Sequence, residues 1–96
     1  MESKLQTECN KFLKKVGVPY LHLEKGRGNG KRHRAGVPDI ITWLKPISFF
    51  ELKTKTGKLS EEQVQFEEMC IEQKHLYYVV DDLDIFKSLI LSIYKL

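Results

Sequence analysis

Cysteine is scarce in this chain. There are two, Cys9 and Cys70, far apart in the sequence. Neither has a second ligand at metal-site spacing, and His22, His33 and His75 do not cluster with them in sequence. That spacing argues against a zinc site and leaves two buried thiols in a reducing compartment as the expectation. Long apolar runs are also missing. No stretch approaches the roughly 20 residues needed to span a bilayer, so no membrane partner is expected. No Gly-Lys-Ser/Thr opens a helix, which excludes a phosphate-binding P-loop. Internal repeats and a low-complexity tail are absent as well. The start, Met1-Glu2-Ser3-Lys4, passes directly into an amphipathic pattern and does not read as a signal peptide; cytoplasmic residence is the default expectation. With 96 residues, 42% hydrophobic and 30% charged, the chain has the length and composition of one soluble domain with one modest core, residues 1–96.

What is present is an uneven charge. The net charge is only +3, yet residues 1–58 carry thirteen Lys/Arg against five Asp/Glu, and residues 59–96 carry three against eight. A basic front half and an acidic back half point to one positive face with a polyanionic partner.

The pattern predicts a helix over 2–16, where Leu5, Cys9, Phe12, Leu13 and Val16 form one apolar stripe. Gly17 stops it, with Pro19 just beyond. Of its two acids, Glu2 projects within roughly 40° of the stripe's centre and Glu8 lies about 80° off it. Glu2 is therefore the acid expected to face the body of the protein, unless it only complements the helix dipole. A strand is predicted over 18–24. Residues 25–36 then hold five cations and four glycines, too many glycines for a helix or strand. Lys25, Arg27, Lys31, Arg32, His33 and Arg34 make this a basic loop suited to a nucleic-acid backbone.

Strands are predicted over 37–44 and 47–55, joined by a three-residue turn at Leu44–Pro46. That register sets Asp39 opposite Glu51. Residues two apart on a strand share a face, so Glu51 and Lys53 point the same way as Asp39 while Phe50 and Leu52 supply core. Facing carboxylates on a sheet are destabilising by up to about 1 kcal/mol, and a cation between them is the usual remedy. Mg²⁺ takes hard oxygens. Asp39, Glu51 and the Leu52 carbonyl are the candidate ligands, with Lys53 to hold a water or stabilise developing charge. Farther on, Ser60 and Gln63 form a capping box with Leu59 and Val64 as its hydrophobic staple, starting a helix that runs to about Lys74. Gln63 has two readings: it serves only that cap, or it also reaches Lys53 or a phosphate. Residues 76–80 read as a short apolar strand buried on both faces. The final helix, 83–95, is apolar on more than one face, which points to a homodimer contact.

A bare Glu-x-Lys carries little information. The full set carries more: a helical acid, Gly36-Val37-Pro38-Asp39, Phe50-Glu51-Leu52-Lys53-Thr54, and Gly57-Lys58-Leu59-Ser60-Glu61-Glu62-Gln63. From residue 2 to about 80 it resembles the VRR-NUC family, the virus-type replication-repair nuclease domain, within the PD-(D/E)XK nucleases. The resemblance implies an α/β (α+β, mixed-sheet) fold with a restriction-endonuclease-like α-β-β-β-α-β core, here with an extra C-terminal helix. It implies Mg²⁺ or Mn²⁺ as cofactor, with Asp39 and Glu51 as metal ligands, Lys53 as the catalytic lysine, Glu2 as the helical acid with Glu8 as the fallback, and Gln63 beside the site. Lys55 and Ser60 join the loop cations as expected DNA contacts. A stand-alone member would be expected to act as a homodimer on branched DNA such as Holliday junctions, in the host cytoplasm if virus-encoded. Two other readings stand beside it: a nucleic-acid-binding module that does not cut, and a restriction-type sequence-specific endonuclease.

Overall fold

A computed structural model describes residues 3–23 and 36–96. Helix α1 spans Ser3–Val16. It ends where Gly17 turns left-handed at φ +77°. There the Gly17 N–H donates to the Lys14 carbonyl at 3.2 Å and the Val18 N–H to the Leu13 carbonyl at 3.0 Å. That pair of bonds is a Schellman motif. The strands are β1 (Tyr20–His22), β2 (Ile40–Thr42), β3 (Ser48–Leu52) and β4 (Leu76–Val80); α2 (Glu61–Glu72) joins β3 to β4, and α3 (Leu83–Tyr94) follows. The sheet runs β1-β2-β3-β4, with the first two pairings antiparallel and β3–β4 parallel. A parallel pair needs a crossover, and α2 provides it. The mixed-sheet α-β-β-β-α-β order with an added C-terminal helix is the expected one.

The sheet separates two sets of contacts. On one face, Cys9 and Leu13 of α1 and Phe86 and Ile90 of α3 pack with Ile40, Phe50, Leu52 and Val80 into the core. The Phe50 and Phe86 rings meet edge to face at 5.0 Å. On the other face Phe49 meets Phe66 of α2 at 5.4 Å, and Phe66 meets Tyr77 of β4 at 6.0 Å. Each large side chain buried in this way contributes about 1.5–3 kcal/mol, so the alternation along β3 anchors both layers.

Three local expectations are corrected. The hairpin pairs are Ile40–Phe50, Ile41–Phe49 and Thr42–Ser48, which is the expected register. The ladder nevertheless stops at Ile40, so Asp39 is not a paired partner of Glu51. Its N–H donates to the Phe50 carbonyl at 3.0 Å, and its carbonyl accepts from Leu23 at 2.8 Å. A longer β2 would offer the Leu52 N–H the carbonyl of Pro38; the Asp39 carboxylate takes that N–H instead, at 2.7 Å. At the other end the connection covers 43–47 rather than three residues. The Tyr94 hydroxyl donates to the Pro46 carbonyl at 2.7 Å and lies 2.5 Å from Thr42 Oγ1. Finally, β4 is an edge strand and not a doubly buried one: Val79 is 44% exposed. The unalternating apolar run reflects its contacts on both faces, without a strand beyond it.

Candidate functional site

Glu51 is the polar centre of the sheet. It lies on β3 between two neighbouring strands and is 1% exposed. A buried carboxylate is costly unless hydrogen-bonded and paired. Gln63 Nε2 donates to Glu51 Oε2 at 2.9 Å, and Lys53 Nζ stands 4.0 Å from the same oxygen. The capping box fixes which end of the Gln63 amide faces the acid. Gln63 Oε1 accepts from the Ser60 N–H at 2.8 Å, and Ser60 Oγ accepts from the Gln63 N–H at 3.1 Å. With the amide oxygen committed to the helix cap, the NH₂ is left for Glu51. Gln63 therefore caps α2 and holds Glu51 at once. Beyond the cap, its protein partner is Glu51 rather than Lys53.

Asp39 is held by a second device. Gly36 has φ +90°, and a Cβ there would lie 2.5 Å from the Glu62 carbonyl oxygen. Only glycine fits this close, left-handed approach. The start of the Gly36–Asp39 segment is thus seated on the first turn of α2, the turn that carries Gln63. Asp39 Oδ2 then receives the Leu52 N–H, beside Glu51 in the chain. Leu52 touches Asp39 through its N–H, and its carbonyl was the atom expected to matter.

Lys53 reaches in two directions. Besides facing Glu51 it lines a cleft of about 500 Å³ with Lys4, Leu5 and Glu8 of α1, Thr54, and Asp81 and Leu83 at the start of α3. Glu8, the fallback acid, is on this cleft. Glu2 lies outside the described residues, as do Lys25, Arg27, Lys31, Arg32, His33 and Arg34. Lys55 is exposed and 3.7 Å from Asp81. Ser60 is exposed at the N-cap of α2.

Tyr77 also lies on the Glu51 face of the sheet and was not legible as such in the sequence. It pairs with Phe49 on β4, and its hydroxyl is buried with no hydrogen-bond partner among the described residues. Burial pushes its pKa up, and Glu51, Glu67, Cys70 and Asp39 push it further in that order. What places it there is its position two residues before Val79, the ladder partner of Glu51: residues two apart share a face.

Among the described residues no group of three or more His, Cys, Asp or Glu stands close enough to hold a metal ion. Glu51 on β3 and Asp39 just before β2 supply carboxylates, hard oxygen donors of the type that fits Mg²⁺ or Mn²⁺ rather than zinc. No protein-family model matches the sequence, and no curated protein does. A solved structure described as a VRR_NUC domain superposes with a TM-score of 0.73 at 23% identity, covering 93% of this chain and 92% of that one. The chain has the VRR-NUC fold. At this identity the likeness to that VRR-NUC domain is one of architecture, and the roles of individual side chains rest on their own geometry.

Proposed function

We propose that the chain is a Mg²⁺- or Mn²⁺-dependent endonuclease that hydrolyses DNA phosphodiester bonds, selective for branched DNA such as Holliday junctions and acting as a homodimer in replication or repair. The observation that carries the reading is a buried acid with a lysine beside it. Glu51, held by Gln63, lies 4.0 Å from Lys53 Nζ, on a chain with the VRR-NUC fold. An acid held at such cost in the interior of a sheet needs a use that offsets its desolvation.

In this reading Asp39 and Glu51 hold the metal, joined by the Leu52 carbonyl and a helical acid, Glu2 or Glu8. Bound there, the ion would supply a water acidic enough to attack near neutral pH and charge relief on the leaving oxygen. Gln63 orients the Glu51 carboxylate. Lys53 sits between that carboxylate and the open cleft, where its ammonium can hold the attacking water or neutralise charge on the phosphorus oxygens. The exposed apolar side chains of α3, Ile85 (51%) and Leu91 (41%), support a contact between two copies.

The test is cleavage of linear duplex, flap, splayed arm and four-way junction with Mg²⁺ or Mn²⁺. The junction should be cut best. Asp39→Ala and Lys53→Ala should each lower the rate by at least about 10²-fold, the scale of a lost acid–base or electrostatic group, while still binding DNA. Variants that cut as well as the parent would end the nuclease reading. Binding without cleavage by the parent would make this a non-catalytic module, and cleavage confined to one short duplex sequence would make it a restriction-type enzyme.

A further inference from the structure

The basic stretch of sequence at 25–36 does not account for the positive half of the chain. Lys4, Lys11, Lys14 and Lys15 all lie on α1, against one acid, Glu8. Lys4, Glu8, Lys11 and Lys15 recur at i, i+4, i+7 and i+11, so they share a face of the helix away from Cys9 and Leu13. From α3, Lys87 leans over the Phe12 ring with Nζ 5.5 Å from its centre. Glu8, Lys11, Phe12, Lys15 and Lys87 together line a groove of about 190 Å³. Glu8 also lines the 500 Å³ cleft that reaches Lys53. Glu8 thus borders both depressions, which lie one after the other along α1 and define a track from Lys53 and Lys4 to Lys15 and Lys87.

The charge on this track is unbalanced. The ion pairs among the described residues are Lys53–Glu51 and Lys55–Asp81, so Lys4, Lys11, Lys15 and Lys87 have no carboxylate at ion-pair distance there. Lysines four apart on a helix repel by a few tenths of a kcal/mol, about 0.2–0.5. Lys14 and Lys15 are explained by the helix dipole at the C-terminal turn. Lys11 and Lys87 are not, since both sit away from helix ends. From Lys4 to Lys15 the helix rises roughly 16 Å, long enough to lie along a few successive phosphates of one strand.

We propose that this α1–α3 track binds the sugar-phosphate backbone of the DNA segment that leads away from the scissile phosphate. The polyanion is identified as DNA by the nuclease reading, on which this rests; the track's sign, length and opening at Lys53 do not depend on it. An anionic membrane fits less well. A helix lying on lipid needs a free apolar face, and the apolar stripe of α1 is spent in the core, with Cys9 and Leu13 fully buried.

The test measures binding of a fluorescein-labelled four-way junction by anisotropy in EDTA, from 50 to 300 mM NaCl, so that cleavage plays no part. The triple variant Lys11→Gln/Lys15→Gln/Lys87→Gln should lower the slope of log K against log salt by about 2–3, near 0.9 for each phosphate that is no longer neutralised. Lys11→Gln alone, at an exposed position, should lower it by about 0.9. Lys45→Gln/Lys74→Gln/Lys95→Gln removes equal charge elsewhere and should keep the parent slope. A groove variant with the parent slope, in a protein that still cuts DNA, overturns the track and leaves the nuclease reading standing. A lysine-dependent slope in a parent that cuts nothing with Mg²⁺ does the reverse. Lysine-dependent binding to vesicles with 30% phosphatidylserine, with DNA binding unchanged, also overturns it.

Discussion

At Asp39 and Glu51 two acids are held by different means. Asp39 replaces a strand carbonyl, ending a ladder with its side chain, and Glu51 is held from the next layer by a helix-capping glutamine. Periodicity pointed to both residues, because parity along β3 needs only the count. What it did not contain was how each is held, since the pairing ladder and the cap draw on residues from separate elements. Cys9 shows a different residue-scale effect. Burial, and then Glu8, pushes its thiol up to about 12 from an ordinary 9.0. Between those values the unfolded chain has released the proton and the folded chain keeps it, so the folded state is penalised as pH rises. The contribution is complete below about 9 and gone above 12. The urea midpoint should therefore fall from pH 8.5 to 11, and less steeply in Cys9→Val. A residual slope should persist, because Cys70 and Tyr77 are shifted the same way.

The element that matters most for the site is α2. Its capping box was legible as Ser60-x-x-Gln63, and so was its start. That its first turn also receives Gly36 and supplies the Glu51 amide was not, because these contacts join segments that only the sheet brings together. The two helix caps offer a comparison. Ser60→Ala at α2 and Asp82→Ala at α3 should each cost about 1 kcal/mol of stability, as cap losses do; Asp82 Oδ2 accepts from the Ile85 N–H at 3.2 Å. Only Ser60→Ala should also weaken Mn²⁺ binding, by several-fold in calorimetry, because only that cap holds the residue that holds Glu51. Equal metal binding by the two variants would separate the cap from the site. On β4 the sequence was misleading for a physical reason: an apolar run of five residues reads the same whether another strand pairs beyond it or water does.

At the scale of the whole molecule, the exposed apolar side chains are the feature that the core does not use. Met69 and Ile71 on α2, Val79 on the β4 edge, and Ile85 and Leu91 on α3 are each more than 40% exposed. Sedimentation at tens of micromolar should give twice the 11.3 kDa of one chain. Ile85→Glu/Leu91→Glu should return it to one chain without loss of helix signal, if α3 carries the contact. Charge asymmetry was readable at this scale from composition alone. That part of it lies on a helix face beside Lys87 was not, because the α1 lysines adjoin Lys87 only once α1 and α3 have packed.

The parallel pairing of β3 with β4 also sets the order in which the site comes into being. Asp39 and Glu51 belong to a local hairpin, which can close as soon as about fifteen residues are free, on a microsecond scale. Glu51 at that stage still faces water. Its burial needs α2, and the segment after it is pinned only when the Lys53 N–H finds the Val80 carbonyl, at 2.9 Å. On a ribosome making roughly 5–20 residues per second, the two acids are therefore synthesised seconds before the strand that completes their surroundings. A nascent chain arrested before residue 80 clears the exit tunnel would carry every residue of the hairpin without the layer that buries Glu51.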